Sequence, residues 1–239
     1  MLVRRMVLLV FLAALPLFAE TNAAVNATAR YFVVFLRPDP ARKPLAKEDG
    51  ERIQTAHMAN IHKMANDGVL IAAGPFDDKP TTISGIFVFK TDSLESAQAI
   101  AAQDPTVVEH RNTVDVHAWE GPPGIGVEYF RLHALDPKMP ENMQSHPLCL
   151  VYRGTSWEDK QRDALLVAHR QYIDHLKEQG KLGAAGRIDA PDDLLGLVIF
   201  KPAPLEEAQG LLGEDPAVKA GVLRVEYHNW WSSDHVLPW

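Results

Sequence analysis

The sequence has a single cysteine, Cys149, among its 239 residues. No disulfide can therefore form within the chain, and the fold must be held together by a hydrophobic core. Hydrophobic residues make up 46% of the composition, which is enough for such a core. Cys149 lies in the apolar run 148–152, which favours a packed thiol; a nucleophilic cysteine is the alternative.

Runs of basic residues are also missing. Lysine and arginine number 24 against 31 acidic residues, so the formal net charge is −7. Proteins bind nucleic acids mainly through clustered basic side chains that meet the phosphates. The composition therefore argues against a nucleic-acid partner.

The usual cofactor and metal motifs do not occur. The glycines at position 74 and in segment 121–124 lack phosphate-loop spacing, so no nucleotide is implied and no cofactor is expected. Neither H-E-x-x-H nor H-x-x-x-H is present. His57 and His62 lie roughly 140° apart around a helix and do not share a face. No metal site is expected, and metal ligation stays an alternative.

A long apolar run occurs only at the start of the chain. It covers residues 6–18, follows Arg4 and Arg5, and is too short to span a bilayer as a mature helix. The pattern predicts a secretory signal peptide over residues 1–24. We therefore expect a periplasmic or secreted protein with no membrane association after signal removal. An uncleaved N-terminal anchor is the alternative.

The remainder of the chain contains an internal repeat. Residues 57–74 return as 169–186, a displacement of 112 positions from His57 to His169. The dipeptide Asp104-Pro105 returns as Asp215-Pro216. Such a long period indicates two copies of one supersecondary unit.

Each copy has the same predicted order of elements, β-α-β-β-α-β, which is typical of a ferredoxin-like unit. In the first copy the strands are predicted at 31–36, 69–73, 86–89 and 114–119, and the helices at 51–67 and 93–103. In the second copy the strands are predicted at 148–152, 182–185, 197–200 and 222–230, and the helices at 158–179 and 205–212.

The predicted fold is α+β, with tandem ferredoxin-like units that pack against each other within one chain. Each unit leaves one face of its sheet bare, and the other unit can cover it. We expect a first domain at 30–120, a linker at 121–147, a second domain at 148–232 and a tail at 233–239. The linker contains a possible strand at 127–132 and is expected to wrap a sheet edge or cover a cavity. The chain should be a monomer, with its halves as an internal pseudodimer.

Several residues keep their order and spacing in both copies. They are His57, Gly68, Ala73-Gly74-Pro75, Gly85, Ala97 and Asp104-Pro105, then His169, Gly180, Ala185-Gly186, Gly196, Ala208 and Asp215-Pro216. In this pattern the chain resembles the YCII-related family, two tandem copies of which would cover nearly all of it. The resemblance implies an intramolecular dimeric α+β barrel and an active site at His57 with Asp104 and at His169 with Asp215. Both histidines are expected to face the space that the paired sheets enclose.

The chemistry of such a pair follows from its groups. A carboxylate bonded to one imidazole nitrogen fixes the tautomer and stabilises the imidazolium that forms when the other nitrogen takes a proton. No nucleophile accompanies the pair, which favours isomerisation or elimination of a small organic molecule. A lyase or isomerase is therefore expected. The alternative is a non-catalytic module that binds a small molecule or a partner.

Structural interpretations of the same residues remain open. An Asp before Pro often only turns the chain, and a helix-borne His can be a polar group satisfied at a helix face. The copies also differ: His110 corresponds to Gly221, and Pro75 corresponds to Arg187. These differences are compatible with loss of function in one of the two pockets, and the sequence does not decide which.

Two further sets of residues are candidates for binding. His117 and His228 correspond, on the strand face shared with Trp119 and Trp230, and are either ligand-binding groups or residues near a solvent-exposed edge. Trp230-Trp231 and Trp239 are predicted to close a sheet edge. A heme or aromatic-ligand site, known elsewhere among dimeric α+β barrels, is the alternative, although the sequence has no ligand motif for it.

Overall fold

The computed structural model describes residues 27–77, 79 and 82–239. The signal peptide predicted over residues 1–24 lies outside these described residues. Within them, no helix is long and apolar enough to cross a membrane.

The two predicted β-α-β-β-α-β units are present, each with one additional short helix. The strands are β1 Ala29–Pro38, β2 Leu70–Pro75, β3 Gly85–Phe89, β4 Asn112–Gly121, β5 Met143–Arg153, β6 Leu182–Asp189, β7 Leu194–Phe200 and β8 Leu223–Ser233. The helices are α1 Lys47–Asn66, α2 Leu94–Ala101, α3 Pro105–Val108, α4 Val127–Leu135, α5 Arg162–Glu178, α6 Leu205–Gly213 and α7 Pro216–Lys219.

Local signals account for the helix boundaries that matter for the site. Gly68 (φ 72°) and Gly180 (φ 70°) take the left-handed conformation that ends α1 and α5. The side chain of Ser93 accepts a hydrogen bond from the backbone N–H of Ser96 and caps α2. Asp104 and Asp215 cap α3 and α7 in the same way.

The connection between the units differs from its prediction in two respects. The segment 127–132, predicted as a strand, lies in helix α4, where Arg131 bonds Glu128 at 2.7 Å one turn earlier. The next strand begins at Met143, inside the predicted linker, because β5 pairs with β8 from Met143 opposite Ser233 onwards.

The eight strands form one antiparallel sheet in the order β2-β3-β1-β4-β6-β7-β5-β8. The halves are joined where residues 118–120 of β4 pair with residues 187–189 of β6. On the opposite side, Phe76 forms an isolated bridge with Trp230, and the backbone N–H of Asp77 donates to the carbonyl oxygen of Asn229 at 3.1 Å. These contacts bring the outer strands together and confirm the intramolecular α+β barrel.

Alternate residues of the strands serve two different cores. In β1, Tyr31, Val33 and Phe35 face the barrel interior, in a hydrophobic cluster drawn from both halves. The intervening residues face α1 and α2, in a cluster that includes Phe32 and Met64. A corresponding cluster lies under α5 and α6 in the second half. Each fully buried side chain of this size contributes roughly 1.5–3 kcal/mol of burial free energy.

Two glycines that correspond in the repeat, Gly74 in β2 and Gly186 in β6, are required by close packing at these junctions. A Cβ on Gly186 would overlap the carbonyl oxygen of Glu120 and lie 2.7 Å from Nε1 of Trp119. A Cβ on Gly74 would overlap the carbonyl oxygen of Trp231 and lie 2.8 Å from a corresponding tryptophan nitrogen. Both glycines therefore allow a strand of one half to approach the other half.

Candidate active site

Helix α1 places His57 against Asp104, the residue that begins α3. Nδ1 of His57 lies 2.8 Å from Oδ2 of Asp104, whose side chain is buried. The same carboxylate accepts from the backbone N–H of Thr106 at 2.9 Å and from its hydroxyl at 2.6 Å. Asn60 adds a fourth donor at 3.1 Å. The first predicted pair is therefore assembled within a dense hydrogen-bond network.

The second pair has the same geometry with fewer partners. Nδ1 of His169, on α5, lies 2.6 Å from Oδ2 of Asp215. The other carboxylate oxygen caps α7 by accepting from the backbone N–H of Ala217 at 2.8 Å. Both Asp residues thus combine the turn role and the histidine-partner role that the sequence offered as alternatives.

These contacts set the protonation pattern of the imidazoles. Burial raises the pKa of Asp104, but hydrogen bonds from His57 and Thr106 outweigh it and leave the pKa below its ordinary value of 3.8. An ionised carboxylate can only accept hydrogen bonds, so Nδ1 of the paired histidine carries the hydrogen. Nε2 of a neutral histidine in this tautomer is then available as a base.

The position of the pairs in the barrel differs from the expectation. The two histidines were expected to face the space between the sheets, and this is wrong. His57 lies over Phe87, a residue of the helix-side cluster, with ring centroids 5.9 Å apart. Both pairs therefore lie between helices and the outer face of the barrel, while hydrophobic side chains of both halves pack in the interior.

A cleft of about 650 Å³ opens beside His169, between α5 and strands β6 and β7. The side chain of His169 is 18% exposed. Within the described residues its Nε2 makes no hydrogen bond, which leaves this nitrogen available to a bound molecule. Much of the lining is apolar and includes Val151, Trp157, Ile173, Ala185, Leu195 and Val198. A volume of this size falls within the usual range for small-molecule sites.

Charged side chains surround the cleft. Arg170 follows His169 on α5, and Asp174 lies one turn further along the helix. Arg187 donates to Glu120 of the first half at 3.2 Å. The cleft therefore combines an apolar lining with charges of both signs and includes residues from both halves.

The side chains differ at the corresponding place in the first half. Phe87 stacks beside His57, whereas Val198 corresponds to it in the second half. The backbone is not the cause of the difference, because His110 (φ 52°) takes the same left-handed conformation as Gly221 (φ 71°). Side-chain volume thus favours the second half as the site for a ligand.

The other two histidines predicted as binding candidates are buried. His117 and His228 are 5% and 3% exposed on the inner strand face, so they do not lie at a solvent-exposed edge. Nε2 of His117 lies 2.7 Å from Asp115, and Nε2 of His228 lies 3.2 Å from Glu226. Within the described part of the chain, no group of three or more potential ligands is placed to hold a metal ion.

The tryptophans and the cysteine are dispersed. Trp230 is buried in the barrel interior, Trp231 is partly exposed, and Trp239 packs on the helix-side cluster of the second half. The three tryptophans therefore have different surroundings. Burial raises the pKa of the Cys149 thiol, which keeps it protonated as a packed side chain.

Sequence reasoning missed the residues that distinguish the two pairs. Arg170 and Val198 line the cleft, and their counterparts in the first copy are Met58 and Phe87. These residues could have been found by comparing the two copies at the positions where they differ. Motif comparison considers only what the copies share, so it finds the common pair and overlooks the cleft.

Comparison with protein families agrees with this architecture. The model of the YCII-related domain matches residues 31–120 and 146–230, and the chain belongs to this family. The two segments correspond to the two halves of the barrel. No curated protein matches the chain.

Solved structures show the same fold at low sequence identity. A mutant chlorite dismutase from Candidatus Nitrospira defluvii is 13% identical, with a TM-score of 0.56 over 91% of this chain and 98% of that one. The same enzyme in complex with imidazole is 12% identical, with a TM-score of 0.52 over 91% and 96%. A heme-binding protein from Thermus thermophilus is 17% identical, with a TM-score of 0.49 over 86% and 93%.

Proposed function

We propose that this YCII-related protein catalyses acid-base chemistry on a small organic molecule bound beside His169. One observation carries the proposal: Nδ1 of His169 is held 2.6 Å from Asp215 while the ring lines an open cleft of about 650 Å³. A general base needs this combination of an oriented tautomer and an accessible nitrogen.

The proposed reaction is a proton transfer. Nε2 of His169 takes a proton from a carbon next to a carbonyl, and Asp215 stabilises the resulting imidazolium. In an isomerisation the proton returns to a different carbon; in an elimination a leaving group departs with the electron pair. No nucleophile is needed in either case, which agrees with the buried, protonated state of Cys149.

The lining suggests how a substrate would be oriented. Apolar side chains such as Ile173 and Val198 suit a hydrocarbon or aromatic body. Arg170, adjacent to His169, makes no ion pair within the described residues. Its guanidinium can bind a carboxylate by donating two parallel hydrogen bonds. Small carbonyl or aromatic acids are therefore the first compounds to test.

The proposed setting is outside the cytoplasm, after removal of residues 1–24. This part of the proposal is supported by the basic start and the short apolar run of the sequence. Cell fractionation and N-terminal sequencing of the native protein would test it. A full-length N-terminus in the membrane fraction would contradict it.

A ligand screen tests the site. The mature protein would be screened by thermal shift against small carbonyl and aromatic acids, and each stabilising compound would be incubated in heavy water and followed by NMR. We expect deuterium to enter the carbon next to the carbonyl. His169→Ala should abolish the exchange and Asp215→Asn should slow it on the order of 100-fold, as expected for a general base.

The repeat supplies a matched control. His57→Ala removes the equivalent imidazole from the first half and should leave exchange in the cleft unchanged. Equal loss in both single variants would contradict the assignment to His169. A compound that stabilises the protein through His169 without exchange or turnover would identify a non-catalytic binding module.

Heme binding is a second candidate, favoured by one feature of the same site. A histidine whose Nδ1 is held by a carboxylate, with Nε2 unbonded beside a cleft, is also suited to hold a heme iron. His169 would hold the iron, and Arg170 and Arg187 could pair with the propionates. Bound heme would supply redox chemistry. Titration with hemin should then give a Soret band that His169→Ala shifts or removes and His57→Ala does not.

A further inference from the structure

A second cavity lies in the first half, away from the cleft beside His169. It has a volume of about 250 Å³ and lies between the start of α1, the segment before it and the start of β4. Its lining is mostly polar and includes Arg42, Gln54, Ser84, Thr106, Arg111 and Asn112. Neither the proposed reaction nor the repeated motif uses this set as a site.

The charge of the lining is positive. Two arginines line the cavity, and no carboxylate among the described residues does so. This is unusual in a chain whose net charge is −7. The guanidinium of Arg111 is held in place by donating to the carbonyl oxygen of Lys43 at 2.6 Å, and its other N–H groups remain available. Arg42 makes no side-chain hydrogen bond or ion pair within the described residues.

The neutral polar groups form a continuous hydrogen-bond chain behind the arginines. The hydroxyl of Ser84 donates to Oδ1 of Asn112 at 2.8 Å, and Nδ2 of Asn112 donates to the Thr106 hydroxyl at 3.0 Å. That hydroxyl in turn donates to Asp104 at 2.6 Å. The wall of the cavity is therefore ordered before any ligand binds, which reduces the cost of binding.

Comparison of the two halves shows that this polar set is specific to the first. The corresponding residues in the second half are apolar at five positions: Leu166 for Gln54, Leu195 for Ser84, Ala217 for Thr106, Val222 for Arg111 and Leu223 for Asn112. All five belong to the helix-side cluster or pack against it. The fold therefore does not require polar residues here, and the same framework packs stably without them.

We propose that this cavity binds a small oxyanion, with inorganic phosphate as the probe. Arg42 and Arg111 would neutralise the charge through charge-assisted hydrogen bonds, and the amide N–H groups of Gln54 and Asn112 would supply further donors. The volume suits an anion of this size better than the organic molecule expected in the larger cleft.

Titration calorimetry of the mature protein with millimolar phosphate at constant ionic strength tests the proposal. Arg42→Gln is the main variant, because Arg42 makes no structural contact whose loss would disturb the fold. Asn112→Leu introduces the residue found in the second half. The matched control is Arg52→Gln, an arginine of α1 that bonds Glu109 and does not line the cavity. Sulfate and acetate identify the preferred oxyanion.

We expect saturable binding of at least one of these anions by the wild type. Arg42→Gln should weaken it about tenfold, and Asn112→Leu by a similar factor, since each removes one charged or ordered partner. Arg52→Gln should stay within about twofold, because it changes only the general surface charge. Lack of saturable binding by the wild type would overturn the proposal. Equal weakening in Arg42→Gln and Arg52→Gln would also overturn it, since the effect would then be general electrostatics.

Discussion

The ring of Phe87 lies beside the imidazole of His57, with centroids 5.9 Å apart and an interplanar angle of 27°. In the second half, Val198 stands at the corresponding position and lines the open cleft with His169. An aromatic ring therefore lies beside the imidazole in the first half, whereas a smaller side chain lines the cleft in the second half.

Substitutions can exchange these two side chains between the halves. Val198→Phe should place an aromatic ring beside His169 and weaken stabilisation by any compound found in the ligand screen. The added volume should cost about 1–3 kcal/mol in the free energy of unfolding. Thermal shift with and without the compound measures both effects. Phe87→Val is the control and should leave binding at His169 intact; undiminished binding in Val198→Phe would place the ligand elsewhere.

The carboxylate of Asp104 should stabilise the fold in a pH-dependent manner. Its pKa is lowered in the folded state, so its contribution is present above the ordinary value of 3.8 and is lost as the pH falls through the lowered pKa. Asp104→Asn should therefore be about 2–4 kcal/mol less stable than the wild type at pH 7, with a smaller difference below about pH 4.

Denaturant unfolding at several pH values measures this contribution. Asp67→Asn is the control, because Asp67 pairs with Lys63 in an exposed ion pair at 2.6 Å. Its loss should change the free energy of unfolding by less than about 1 kcal/mol. A loss in Asp104→Asn that stays constant down to acid pH would show that ionisation of this group does not contribute.

The junction between the halves should not tolerate a methyl group on Gly186. The added Cβ would overlap the carbonyl oxygen of Glu120, and backbone atoms cannot move aside cheaply. We expect Gly186→Ala to destabilise the protein by about 2–4 kcal/mol. A Cβ added to Gly210, in helix α6, would meet no atom within 4 Å, so Gly210→Ala should stabilise by about 0.5–1 kcal/mol. Similar values for the two variants would contradict this account of the junction.

The protein should be a monomer in solution. Each half already covers the inner sheet face of the other, and β4 pairs with β6 within the same chain. A single ferredoxin-like unit needs a second molecule to cover its bare sheet face. Here this contact is made within one chain. Light scattering coupled to size-exclusion chromatography should give a mass that does not change with concentration. A stable dimer would contradict the prediction.

Much of the architecture could be predicted from local patterns. The repeat fixed two equivalent units, and Gly68 and Ser93 marked a helix end and a helix start correctly. The histidine and the aspartate of each pair stood out because both recur in the two copies, and their pairing was what the resemblance to the YCII-related family implied. Helix α4 was missed because the apolar residues of segment 127–132 fit a short strand as well as a helix, and only tertiary packing distinguishes the two.

The sequence by itself determined that two ferredoxin-like units are joined and that a histidine and an aspartate recur in each, whereas their contact was implied only by the family resemblance. Only the tertiary structure decided which face of the sheet the histidines occupy. The run 31–36 is apolar at every position because both of its faces are buried, so its pattern does not show which face meets the other half. The cleft beside His169 likewise depends on the volumes of side chains that meet across the fold, such as Val198 in place of an aromatic ring.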